Sequence, residues 1–167
     1  TPAEKAAYAR RMDALRRQHD AEVRQRQDAA AGSAAVRWAA AAPADVHPYL
    51  AAKGVRAHGV RIEAGHTMLV PIRDVEGKLC NLQGIAPDGT KRFMPGARVK
   101  GCYHAIGKPS GRLVICEGYA TGATIHEDTG HAVAVAFNAG NLLAVAKALR
   151  AKFPSITLVL AADDDWK

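Results

Sequence analysis

Three apolar runs in the last third of the chain constrain its fold more than any other feature. They are "RLVIC" at 112–116, "HAVAVAF" at 131–137 and "SITLVLA" at 155–161. None alternates apolar with polar residues, so each is expected to be a strand buried on both faces, as in a parallel sheet. Between them lie "YATGATIHEDTG", a helix closed by Gly130, and "LLAVAKALRAKFP", a helix ended by Pro154. Strand–helix–strand–helix–strand implies parallel strands joined by right-handed crossovers. The carboxyl ends of such strands share one edge, where open α/β sheets bind ligands.

Polar residues follow each run at that edge. Glu117-Gly118 ends the first, Asn138-Ala139-Gly140-Asn141 the second, and Asp163-Asp164-Asp165 the third. Carboxylates gathered at one edge repel one another unless a cation lies between them. Mg²⁺ or Mn²⁺ suits a set of oxygen donors and leaves positions open for phosphate oxygens. If strand geometry persists, Asp163 and Asp165 share one face while Asp164 points away. Such a site aligns a hydroxyl and polarises a phosphoryl group for in-line displacement. Gly118 is expected to permit a tight turn behind the glutamate. Asn138 and Asn141 are candidates to line the cleft, with turn and cap roles as the alternative.

The preceding two thirds read differently. Residues 3–31 contain no Gly or Pro and are rich in Ala, Arg, Gln and Glu, a helix composition. Tyr8, Met12, Leu15, His19 and Val23 form a thin apolar stripe along it. Residues 31–55 look like short helices broken at Pro43 and Gly54. From His66 the period changes to alternation, with turn signals at "VEGK" and "PDGT", so strands are expected at about 67–73, 78–86 and 90–94. "GCYHAIG" (101–107) reads as one more short strand of this lobe. Tyr119 and Cys116 are expected to be core residues. His104 is assigned no ligand role.

Charge separates the same regions. Residues 1–32 hold seven Lys and Arg against five acids, residues 33–110 eleven against five, and residues 111–167 five against six. The basic middle suggests a polyanionic partner such as nucleic acid. Three scattered cysteines without a Cys-x-x-Cys pair exclude a zinc ribbon within this chain and fit a reducing cytoplasm. There is no apolar signal segment and no apolar run near membrane-spanning length.

With these residues in order, the chain resembles a toprim domain, whose signature is a strand-end glutamate followed two strands later by Asp-x-Asp. "CEGYATGATI" resembles the Glu-Gly-Tyr-Ala-Thr motif of primases carried by conjugative plasmids, integrative elements and satellite phages. "YLAAKGV", "LVPIRDVEGKLCNLQGIAPDGTKRFMPG", "GCYHAIG" and "AFNAGNL" are similar to that group as well, so the likeness covers about 48–167. The expected fold is α/β: a toprim-like parallel βαβαβ core at 111–167, a small basic β-rich α+β lobe at 33–110, and an N-terminal helix at 1–32. The chain stops at "DDDWK", where such a core is expected to continue.

The resemblance implies a DNA primase, or its core fragment, making RNA primers from ribonucleoside triphosphates on single-stranded DNA. It implies Glu117, Asp163 and Asp165 as catalytic residues that hold Mg²⁺ or Mn²⁺, with Asp164 auxiliary. Lys91, Arg92, Arg98, Lys100 and Lys108 would meet template and nucleotide phosphates, and Phe93 or Tyr103 would stack on a base. A helicase or relaxase is an expected partner within the parent protein. A metal-dependent toprim nuclease and a non-catalytic DNA-binding module are the alternative readings.

Overall fold

The computed structural model describes residues 1–162, and it opens on helix α1 (Pro2–Ala40). The helix is longer than its composition suggests. It passes through Gly32, at a cost of about 1 kcal/mol relative to alanine, because buried Ala34 just beyond packs with Leu69 and Leu82. Its first turn is fixed by a capping box, with Thr1 Oγ1 accepting from Glu4 N–H and Glu4 Oε2 accepting from the Thr1 amino group. Arg10, Asp13, Arg17, Asp20, Arg24 and Asp28 follow at steps of three and four, a ladder of alternating charge that supports a solvated helix. The expected apolar stripe finds no cover on the body, for Tyr8 is 68% and Leu15 51% exposed.

After α1 come β1 (Ala42–Pro43), the short helix α2 (Pro48–Lys53), β2 (Arg61–Ile62), β3 (Met68–Arg73), β4 (Leu79–Ile85) and β5 (Lys91–Phe93). They make an antiparallel sheet in the order β1-β2-β3-β4-β5. The two marked turns do the folding. Gly77 and Gly89 both sit at φ 87°, where a side chain is disfavoured, and Asp74 and Asp88 accept backbone N–H bonds beside them. Leu69 and Leu82 face α1, whereas Met68, Val70 and Ile85 face the second half of the chain.

That half contains β6 (His104–Ile106), β7 (Arg112–Cys116), α3 (Tyr119–Thr129), β8 (Ala132–Val135), α4 (Ala139–Lys152) and β9 (Thr157–Ala161). The second sheet runs β6-β8-β7-β9, with β8 and β9 parallel to β7 and β6 antiparallel to β8. Val114, Cys116, Val133 and Val135 pack under α3, while Leu113, Ile115, Ala132 and Ala134 pack under α4. Period-two alternation thus puts one helix on each face, which is why β7 and β8 read as continuous apolar runs. The α/β class expected from the sequence is the one observed.

Two expectations are corrected. β6 belongs to the second sheet rather than to the basic lobe; it packs on β3, and at its entry Arg73 and Tyr103 exchange backbone bonds of 2.9 and 2.8 Å. β9 is not a buried strand, for Val159 is 37% and Leu160 55% exposed. It pairs on one side with β7 and, among the described residues, has no strand on the other.

α3 packs closely on the sheet at Gly122. A Cβ on Gly122 would stand 2.8 Å from Val135 Cγ2, 3.1 Å from Cys116 Sγ and 3.2 Å from Val133 Cγ1. Gly122→Ala is therefore expected to destabilise the fold by about 2 kcal/mol despite its better helix propensity, as a urea midpoint lowered at constant slope would show.

Candidate active-site edge

The register sets where the polar strand ends meet. Cys116 on β7 pairs with Val135 on one side and with Ala161 on the other. Glu117 is thus flanked by residues 136–137 after β8 and by Ala162 after β9. Asp163, Asp164 and Asp165 lie outside the described residues.

Glu117 is partly buried, and among the described residues its carboxylate makes no hydrogen bond or ion pair. It stands immediately before Gly118, the N-cap of α3, so the positive end of the helix dipole favours its charge. Gly118 itself has φ −102° and ψ 150°, which any residue adopts, and an added Cβ would meet nothing nearer than 3.6 Å. The turn behind the glutamate therefore does not require glycine; the position that does is Gly122. A partly buried oxygen donor with no partner among the described residues fits a hard divalent ion. Among the described residues no three His, Cys, Asp or Glu side chains are grouped to hold one.

Tyr119, the next residue but one, is fully buried, as expected of a core residue. Its hydroxyl accepts from His58 N–H at 2.7 Å and donates to Arg56 O at 3.3 Å, partners about sixty residues away that no local motif marks. Burial pushes its phenol up to about 12. Glu127, two turns further along α3, accepts from the same segment, from Arg56 N–H (2.8 Å) and His58 Nε2 (2.6 Å). The His58 contact, then that N–H, holds its carboxyl below the ordinary range. The helix that begins at the glutamate is thus bolted to the loop ahead of β2.

The two asparagines separate. Asn138 is exposed at the N-terminus of α4, and its side chain makes no cap bond. Asn141 is buried and fully engaged: its Oδ1 accepts from Gly101 N–H, and its Nδ2 donates to Val99, Cys102 and Ala136 carbonyls, all within 3.1 Å. It holds the 99–102 loop against the same edge. Asn141→Ala would leave these backbone groups unsatisfied and is expected to cost about 3 kcal/mol, with amide exchange rising first in residues 99–102.

The candidate cations are divided as well. Phe93 meets Phe137 edge-on, ring centroids 5.9 Å apart, which links the end of β5, the strand of Lys91 and Arg92, to the second residue after β8. Lys91 also lies 5.3 Å from the Tyr49 ring centre. Arg92 lines an open groove of about 640 Å³ with Arg37, Thr67, Thr90 and Phe93. Lys100 is exposed on the loop that Asn141 holds. Arg98 is engaged elsewhere, 2.9 Å from Asp74 and 3.2 Å from Cys80 Sγ. Lys108 precedes β7 and so stands at the opposite edge of the sheet from Glu117.

The order of these elements is matched by comparison with known proteins. Residues 112–167, from the start of β7 onward, match the model of the toprim domain. This segment belongs to the toprim family. The chain is also similar to two curated Escherichia coli proteins, both described as DNA primase TraC. One is 47% identical over 125 residues, 71% of this chain and 9% of the relative. The other is 46% identical over 125 residues, 71% of this chain and 12% of the relative. The chain thus spans about a tenth of the length of these relatives. No solved structure matches the chain.

Proposed function

We propose that this chain is the core of a DNA primase that joins ribonucleotides on a single-stranded DNA template. The observation that carries the reading is Glu117: a carboxylate at the carboxyl end of the central toprim strand, without a partner among the described residues and inside a stretch nearly half identical to proteins described as DNA primases. Glu117, Asp163 and Asp165 would hold Mg²⁺ or Mn²⁺, with Asp164 auxiliary. The ion, when bound, would neutralise the triphosphate and polarise the phosphorus under attack. The chain's own residues orient the partners. Glu117 fixes one wall of the site. Lys91, Arg92 and Lys100 offer cations to template and nucleotide phosphates, a contact that needs charge but no sequence specificity. Phe93 presents a ring at the groove mouth for a base. Among the described residues no helix is long and apolar enough to cross a membrane.

The test is incubation of the chain with single-stranded DNA, labelled ribonucleotides and Mg²⁺ or Mn²⁺. Short labelled oligonucleotides that require the ion are expected. Shortened DNA without labelled product would indicate a nuclease instead. Binding without turnover, unchanged by Glu117→Gln, would indicate a DNA-binding module.

A further inference from the structure

Among the described residues two that are not glycine have a left-handed backbone, His66 (φ 62°) and Phe137 (φ 72°). An aromatic residue is disfavoured there because its Cβ crowds the backbone, so its surroundings must hold it. Phe137 is the second residue after β8, and the Glu117 carbonyl accepts its N–H at 2.8 Å. The N–H just before it, from Ala136, goes to the Cys116 carbonyl at 2.8 Å. Successive N–H groups of a regular strand point to opposite sides, so this pair is a local pinch that fastens the end of β8 to the end of β7 at Glu117. The ring then leaves toward the first sheet. It meets Phe93 at an interplanar angle of 82° and packs on Ile72, Cys80 and Cys102.

We infer that Phe137 is a positioning residue for Glu117. Its backbone fixes the glutamate's carbonyl, and its ring braces that fixed point against β5, the strand of Lys91 and Arg92. The carboxylate and the cations are thereby held in one relation. The consequence for metal binding rests on the function proposed above; the mechanical link does not.

Two measurements on the whole chain separate these. Amide exchange reports the link, and Mn²⁺ affinity from the electron spin resonance of the free ion reports its consequence. Phe137→Leu is expected to speed exchange about tenfold at 115–118 and 136–139, to leave α1 unchanged, and to weaken Mn²⁺ binding about tenfold, the loss seen when support behind a metal ligand is removed. Phe137→Tyr keeps the ring and is expected to stay within about twofold of the parent on both readouts. Phe93→Leu changes only the partner ring on an edge strand, so it keeps the question testable if Phe137→Leu does not fold; a smaller loss in the same direction is expected. Parental exchange at 115–118 in a folded Phe137→Leu or Phe93→Leu, or an increase spread evenly over the chain, would overturn the inference. Local exchange as expected in a chain that binds no Mn²⁺ would leave the link standing and remove the metal reading.

Discussion

Glu117→Gln is expected to reduce primer synthesis by at least on the order of 10²-fold, since even a residue behind a metal ligand carries losses of 10 to 100-fold. The change is isosteric and removes one charge. Because the carboxylate makes no hydrogen bond or ion pair among the described residues, stability is expected to shift by less than about 0.5 kcal/mol. Affinity for single-stranded DNA should fall little, since the groups proposed to meet phosphates are cations elsewhere. A variant that folds, binds DNA and does not synthesise is the expected pattern, checked by thermal melting, fluorescence anisotropy and the labelled-ribonucleotide assay on one preparation. Equal synthesis by parent and variant would remove Glu117 from the chemistry.

His104 is expected to make the fold acid-sensitive. It is buried between the sheets, against Tyr119, with His58 O 2.8 Å from its Nε2. Burial is the main cause that lowers its pKa to about 4; the backbone bonds to His58 and Pro71 oppose this, while the charges of His58 and Arg73 add to it. The ring is therefore neutral in the folded chain at pH values where the unfolded chain has begun to take up a proton. The stability this gives is complete above about pH 6.5 and is lost as pH falls toward 4, about 3 kcal/mol in all. Urea unfolding of parent and His104→Gln at pH 7.5 and at pH 4 checks it. The parent should lose about 3 kcal/mol more than the variant over that interval, and equal losses would contradict the assignment.

The parts of this fold that the sequence discloses are those where one local signal decides. β7, β8, α3 and α4 are legible because a strand covered on both faces reads as an unbroken apolar run. β3, β4 and β5 are legible because Gly77 and Gly89 close turns that little else can close. β9 is as apolar a run as β7 yet stands exposed, because composition does not say which strand lies at an edge. β6 pairs with β8 across about thirty residues, a choice set by tertiary contacts.

At the site the limit is similar. Glu117 is conspicuous as a charge at the end of an apolar run, and the register confirms that residues following β8 and β9 flank it. Asn141 looked like a cleft residue because it follows a strand, but a buried amide with three donations and one acceptance is visible only once its partners are placed. Phe137 could not be read at all, since an aromatic side chain is among the last expected at positive φ. A small residue in mid-helix, as in "TGAT", is the local sign of Gly122, and the need for glycine lies there, four residues beyond Gly118.

The most direct measurement is a structure of the chain with Mn²⁺ and a ribonucleoside triphosphate. The expected result is an ion about 2.1 Å from carboxylate oxygens of both Glu117 and Asp163, at the edge where β7 and β9 end, with the triphosphate reaching toward Lys91 and Arg92. An ion bound without Glu117, or Asp163 turned to the opposite edge of the sheet, would contradict the metal site and the primase reading with it.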